Sequence, residues 1–216
     1  MAEKKEKLLS EVMRDRRTTP NFGAQPVQDA DLDQIIQAGV DAPSSYNAQP
    51  WRFVVVRDPE LRSKLAEASR GQARVAQAPV VIVACGDPEA WRKGDLEEML
   101  RIAKEQGYGT DASHNYVREK FPKLMQSVDV EAWLNRQVMI AFTQMMLMAE
   151  ALGYDTAPME GFEATKVRVL LGIPGSVFVV AMLCIGHLEG SDKRFGGRFT
   201  SDHVVYHERW GGGTGE

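Results

Sequence analysis

Two uninterrupted apolar runs, Val80-Val81-Ile82-Val83-Ala84-Cys85 and Val177 through Ile185, most constrain what this chain can fold into. A strand with one face in water alternates apolar and polar residues. A strand with no alternation is covered on both faces. Both runs therefore call for a central sheet with helices above and below it. The helices are read from apolar residues recurring at helical spacing. They are expected at Leu8–Arg17, Leu32–Asp41, Glu60–Arg70, Trp91–Gln106, Asn115–Met125, Glu131–Leu152 and Glu163–Leu171. Asp29 or Asp31 is the expected cap of the second. Trp51–Val56 reads as a further strand, Val204-Val205-Tyr206 as strand-like, and residues 154–161 as a turn. Alternating helices and apolar strands predict a layered α/β or α+β domain.

At 216 residues the chain is long enough for one substantial core, so residues 8–210 are expected to be one domain. Residues 89–130 are polar and mixed in charge, and they contain Gly107-Tyr108-Gly109. They exceed an ordinary connection and read as an insertion with a role of its own. Residues 211–216 read as a flexible glycine-rich tail. Glu131–Leu152 carries apolar residues around most of its circumference, which predicts burial on nearly all sides, in a core or at a subunit interface. Its methionines suit adaptable packing more often than ligand binding.

Several functions are excluded. A net charge of -4 with no long block of like charge argues against nucleic acid or an anionic membrane as partner. The longest uncharged apolar run, Val138–Ala149, is too short to span a bilayer, and the charged start Met1–Lys7 is no signal peptide. The cytoplasm is the default location. Cys85 and Cys184 form no Cys-x-x-Cys and read as structural thiols. No metal-ligand spacing, nucleotide-binding glycine motif or nucleophile elbow occurs. Chemistry carried by a bound cofactor is what remains.

Residues 42–51 are the most telling segment for function. Pro43 stops a helix and Pro50 leads into a strand. Between them Ser44, Ser45, Asn47 and Gln49 form a hydroxyl- and amide-rich rim that both donates and accepts hydrogen bonds. The rim suits a polyhydroxylated ligand; it also suits an ordinary turn. Arg16-Arg17-Thr18 leaves a helix with two guanidiniums. These fit a phosphate, or simply a helix C-terminus.

Together with Arg16–Phe22, Pro158–Phe162, and Arg198 followed by Val204–Trp210, the segment Pro43-Ser44-Ser45-Tyr46-Asn47-Ala48-Gln49-Pro50-Trp51 resembles the FMN-dependent nitroreductase family, from about Glu11 to Trp210. The resemblance implies an α+β fold: a three-layer α/β/α sandwich with a mostly antiparallel central sheet. It also implies an intertwined homodimer with FMN in the interface and each site built from both chains. Matching residues hold FMN through Arg16, Arg17, Thr18 and Arg198, with Arg194 and Lys193 as weaker candidates. The rim of Pro43, Ser44, Ser45, Asn47 and Gln49 holds the ribityl chain and ring edges. The turn Pro158-Met159-Glu160-Gly161 sets main-chain N–H groups of Glu160 and Gly161 beside flavin N5 and O4, with no catalytic side chain and no metal. Arg74 matches a position, often lysine, that points at the pyrimidine, with Gln72 as a second donor. One departure is Pro20, where a second basic residue is common; Arg74 is the candidate to replace that charge. The insertion lies over the flavin in similar proteins, which makes Trp91, Tyr108, His114, Tyr116 and Phe121 candidates for the pocket wall, or for packing within the insertion. The implied activity is reduction of an electron-poor acceptor (a nitroaromatic, quinone or enone) by NADH or NADPH, in ping-pong fashion through flavin N5. A non-turnover FMN-binding or storage protein, and a flavin-modifying or reductive-dehalogenating branch, are the alternatives.

Overall fold

The computed structural model describes residues 7–190 and 195–211. The strands are β1 (Trp51–Val56), β2 (Val80–Gly86), β3 (Asp155–Met159) and β4 (Phe178–Gly186). They form one sheet in the order β1-β2-β4-β3, with every neighbouring pair antiparallel. The helices are α1 (Leu9–Asp15), α2 (Asp29–Val40), α3 (Pro59–Ala68), α4 (Ala73–Gln77), α5 (Asp95–Glu105), α6 (Asp111–Ser127), α7 (Val130–Ala151), α8 (Ala164–Leu171) and α9 (Ser201–Val204).

The apolar runs form the two central strands, and successive side chains point to opposite faces. Val80, Ile82 and Ala84 of β2, with Ala181, Leu183 and Ile185 of β4, pack against α2 and α7. Val81, Val83, Cys85, Met182 and Cys184 form the other face, against α3, α4 and α8. The fold is thus α+β with helices on both sides of the sheet. Gly39 lets α2 approach α7 closely, since a Cβ there would lie 2.7 Å from Met145 Cγ. A third apolar cluster joins α5 and α6 to the start of α7 through Leu96, Met99, Phe121, Met125, Trp133 and Leu134.

Several expected features differ. Neither Asp29 nor Asp31 is the N-cap of α2: Gln28 is, with no side-chain bond, and both acids lie in the first turn, where the helix dipole favours them. Asp31 accepts from the Tyr154 hydroxyl at 2.6 Å, and Asp29 pairs with Arg57. The helix expected from Trp91 breaks at Gly94, whose φ of 117° separates a short 3₁₀ turn from α5. Residues 155–159 form an edge strand rather than a turn. Pro158 obscured that reading, because proline in a strand is confined mainly to edges. Val205 and Tyr206 follow α9 outside any strand, since no neighbouring strand in the described chain reaches them. Helix α7 buries Leu134, Val138, Ala141, Phe142, Met145 and Ala149 but leaves Ile140 and Thr143 exposed, so this single chain covers one side of it.

Ile82 is fully buried at the centre of β2. Ile82→Ala is expected to lower the unfolding free energy by about 2–5 kcal/mol in urea titrations, as cavity formation in a packed core does.

Candidate functional site

The segment after α1 runs beside β3. Thr18 bridges Thr156 in parallel, and the Thr19 N–H donates to the Thr156 carbonyl at 3.0 Å. This lays Arg16, Arg17 and Thr18 along the sheet edge. Arg16 is half-buried, and its Nη1 is fully buried with no hydrogen-bond partner. Burial lowers its pKa, the nearby Glu150 carboxylate opposes that shift, and Arg198 and Arg17 add to it. Glu150, 4% exposed, ends α7 and also pairs with Lys7 at 2.8 Å. The Arg17 guanidinium stacks over the Phe195 ring at 4.3 Å and donates to the Arg16 carbonyl at 2.7 Å. Arg198 lies 5.7 Å from the same ring. Two guanidiniums therefore flank one ring, with Arg16 close enough to feel both charges, and among the three Arg16 alone holds an unsatisfied buried donor. Arg194 and Lys193 lie outside the described residues.

Further along β3, Pro158, Met159 and Glu160 line a cavity of about 230 Å³ with Met139, Phe142 and Ala181. The turn beyond is held by Gln72, whose Nε2 donates to the Gly161 carbonyl at 3.0 Å and the Ser69 carbonyl at 3.1 Å. The amide expected as a ring donor thus anchors the turn. Among the described residues, the N–H groups of Glu160 and Gly161 donate to nothing. Arg74 is half-buried and close enough to Cys184 of β4 to act on its thiol.

The rim folds as a 3₁₀ turn, Ser45–Asn47, in an unusual backbone shape. Tyr46, Asn47 and Gln49 have φ of 58°, 55° and 45°. Non-glycine residues in this region cost about 1–3 kcal/mol each and persist only where the surroundings hold them. The Gln49 N–H donates to Ser44 Oγ at 3.0 Å, and the Ser45 N–H to Gln137 Oε1 of α7 at 2.8 Å. Ser45 Oγ and the Asn47 side chain make no hydrogen bond among the described residues. Pro43, Ser44, Tyr46 and Asn47 form one wall of a cavity of about 840 Å³. The opposite wall comes from α5, α6 and the turn between them and includes Tyr108, His114 and Tyr116. His114 Nε2 lies 2.9 Å from the Tyr108 carbonyl. A carbonyl only accepts, so Nε2 carries the proton. That bond pins the turn at Gly109, whose φ of +80° excludes most side chains. Trp91 and Phe121 do not line this cavity; they pack in the third core.

In one chain these two halves stand apart. Gln137 marks the rim side of α7, while Met139, two residues on, faces the β3 cavity about half a turn away. Glu150, beside Arg16, lies thirteen residues beyond Gln137, about 20 Å along the axis at 1.5 Å per residue.

A model of the nitroreductase family matches residues 13–187. The chain belongs to the nitroreductase family. Among its relatives in this oxidoreductase family is a Thermus thermophilus protein named NADH dehydrogenase, 36% identical over 172 residues, which cover 80% of this chain and 82% of the relative. A crystal structure of a candidate nitroreductase from Bacillus subtilis superposes with a TM-score of 0.84 at 26% identity, covering 92% of this chain and 97% of that one. A structure from Exiguobacterium sibiricum, in complex with FMN, has the same fold, with a TM-score of 0.79 at 24% identity over 92% of this chain and 96% of that one. Against the nitroreductase motifs, sequence reasoning missed Gln137 and Glu150. The sequence offers only a weak signal for them, polar residues in a helix otherwise rich in apolar ones, and it is the structure that shows both buried.

Burial pushes the Cys85 thiol up to about 11 and the Cys184 thiol up to about 12, from an ordinary 9.0. Because the folded values are raised, the stability these neutral thiols contribute is complete below pH 9 and declines above it. A thiol-specific chromogenic disulfide is expected to react slowly with the native protein at pH 8 and with both thiols in denaturant. The urea midpoint should fall between pH 9 and pH 11.

Proposed function

We propose that this nitroreductase-family protein binds FMN and oxidises NADH or NADPH to reduce an electron-poor acceptor, the two substrates using one pocket in turn. The observation that carries the reading is the buried, unpartnered Nη1 of Arg16 beside Arg17 and Arg198. A buried donor without a partner is costly, and a phosphate monoester satisfies a guanidinium with short, charge-assisted bonds. The residues present fit the cofactor: a cationic cluster for its phosphate, free main-chain N–H groups at Glu160 and Gly161, and unused side-chain donors at Ser45 and Asn47.

When bound, FMN supplies hydride acceptance and donation at ring atom N5, which no side chain of this chain offers. The chain's part is placement and charge. Arg16 holds the phosphate, and Glu150 offsets the cost of keeping that guanidinium charged in a partly buried place. Gln72 fixes the Gly161 carbonyl and with it the direction of the turn. Arg74 makes no ion pair among the described residues and is the candidate to stabilise negative charge on the reduced ring, in place of the base absent at Pro20.

The rim and the arginine cluster lie on different sides of α7, so a complete site calls for a second copy of the chain. Three surfaces fit such a partner: the exposed side of α7 with Ile140, the free edge of β1, and the exposed residues 195–211 with Phe199, Val204 and Trp210. Among the described residues, the walls of the larger cavity carry no Asp, Glu, Lys or Arg. They suit an uncharged aromatic acceptor, because a charged one would lose its hydration without gaining a counter-charge.

The purified protein is expected to be yellow and dimeric, and to bleach within seconds on anaerobic addition of NADH or NADPH. A colourless protein that FMN cannot reconstitute, or an FMN-loaded monomer at micromolar concentration, would refute the reading. Arg16→Gln should weaken FMN binding by about 10- to 100-fold, the loss of a charged hydrogen bond, and leave riboflavin binding unchanged. Fluorescence titration of the apoprotein with each ligand measures both. For acceptors, kcat/KM for 2-methyl-1,4-naphthoquinone should exceed that for its sulfonate at least tenfold; equal values would remove the argument from the uncharged walls.

A further inference from the structure

The rim is strained, and contacts from outside it add to its own turn bonds. Tyr46, Asn47 and Gln49 all have positive φ, and tyrosine and glutamine have no intrinsic preference for that region. Within the rim the Asn47 N–H donates to the Ser44 carbonyl at 2.9 Å, the Ala48 N–H to the Ser45 carbonyl at 3.1 Å and the Gln49 N–H to Ser44 Oγ at 3.0 Å, while Gln49 Nε2 makes a long bond of 3.3 Å to the Asn47 carbonyl. Two contacts come from outside. The Ser45 N–H donates at 2.8 Å to Gln137 Oε1, and Gln137 is only 8% exposed. The Tyr46 ring meets Phe121 of α6 edge-on at 5.7 Å, and Phe121 in turn meets Trp133 at 5.9 Å. Trp133 and Gln137 are one turn apart on α7 and share a side of it. One strip of α7 therefore holds the rim twice, directly through Gln137 and through Phe121 from Trp133.

We infer that Gln137 is a positioning residue for the ligand-binding rim: it holds Ser45 and the left-handed turn in the shape that leaves Ser45 Oγ and the Asn47 side chain free to bind. The inference rests on the flavin reading above. Without its carbonyl oxygen the Ser45 N–H loses its partner, and the turn relaxes toward ordinary backbone conformations. Only a fraction of the protein then presents the rim correctly, and apparent affinity falls by that fraction.

Gln137→Met keeps length and volume but removes the acceptor, whereas Gln137→Glu keeps an acceptor oxygen at the same reach. Apoprotein of wild type and both variants is titrated with FMN and with riboflavin, and thermal unfolding is recorded without ligand. Gln137→Met is expected to weaken both ligands about tenfold and to change the vibronic shape of the bound flavin band near 450 nm. Gln137→Glu should restore both affinities to within threefold. A loss for riboflavin as large as for FMN separates this role from phosphate binding. A methionine variant that binds both flavins like wild type overturns the inference while leaving the flavin reading intact. A wild-type chain that binds neither flavin overturns both. Should Gln137→Met fail to fold, hydrogen exchange on wild-type apoprotein decides: the Ser45 amide is expected to be protected at least a hundredfold over an unstructured peptide, and unprotected exchange overturns the inference.

Discussion

The packing of α7 on the sheet is the interaction from which the rest of the molecule takes its positions. Leu134, Val138, Ala141, Phe142, Met145 and Ala149 bury one side of the helix against β2 and β4. Apolar burial of that kind is strong and directionless, so it fixes the helix without specifying anything about chemistry. Specificity comes from the flanks. One flank carries Trp133 and Gln137 and meets the 45–49 turn. Another carries Met139 and Glu150 and meets β3 and the segment after α1. A single rigid rod thus sets two half-sites at fixed distance and orientation.

Charge is handled unequally in those half-sites. The surface of α5 and α6 is laced with exposed pairs such as Arg118–Glu97 and Arg101–Glu98, each worth little in water. Around Arg16 the same chemistry has more consequence, because the guanidinium is partly withdrawn from solvent and two other cations press on it. Glu150 makes that arrangement tolerable without saturating Arg16 Nη1. The arrangement leaves one buried guanidinium donor unpartnered among three neighbouring cations.

Much of this was legible in the residues. Unbroken Val/Ile runs announced strands covered on both faces, and β2 and β4 are those strands. Arg16, Ser44 and Gly161 were legible as motif positions, and the structure brings Arg16 to β3 and Gly161 under Gln72. What stayed hidden has physical reasons. β3 contains a proline and only five residues, so its period is too short to read. Val205 and Tyr206 have strand propensity with no strand beside them, and propensity yields to context. Gln137 and Glu150 sit inside a helix whose apolar periodicity dominates any reading, and their importance depends on which flank faces the turn and which faces Arg16. Sequence spacing alone also could not show that the rim and the arginines of one chain are held apart by a helix.

Helices α5 and α6 have a core of their own, with Leu96, Met99, Phe121 and Met125 packed on the first turns of α7. That gives α5 and α6 a cluster largely separate from the two cores on the faces of the sheet, joined to them through Trp133 and Leu134 of α7 and through the Arg52–Asp95 pair. One of its contacts reaches the 45–49 turn. Phe121 is also the neighbour of Tyr46, so a replacement module has to bring an aromatic ring to the same spot or surrender the turn beneath it. Change along the outer walls of the cavity therefore leaves the turn unaffected, whereas change at Phe121 reaches it.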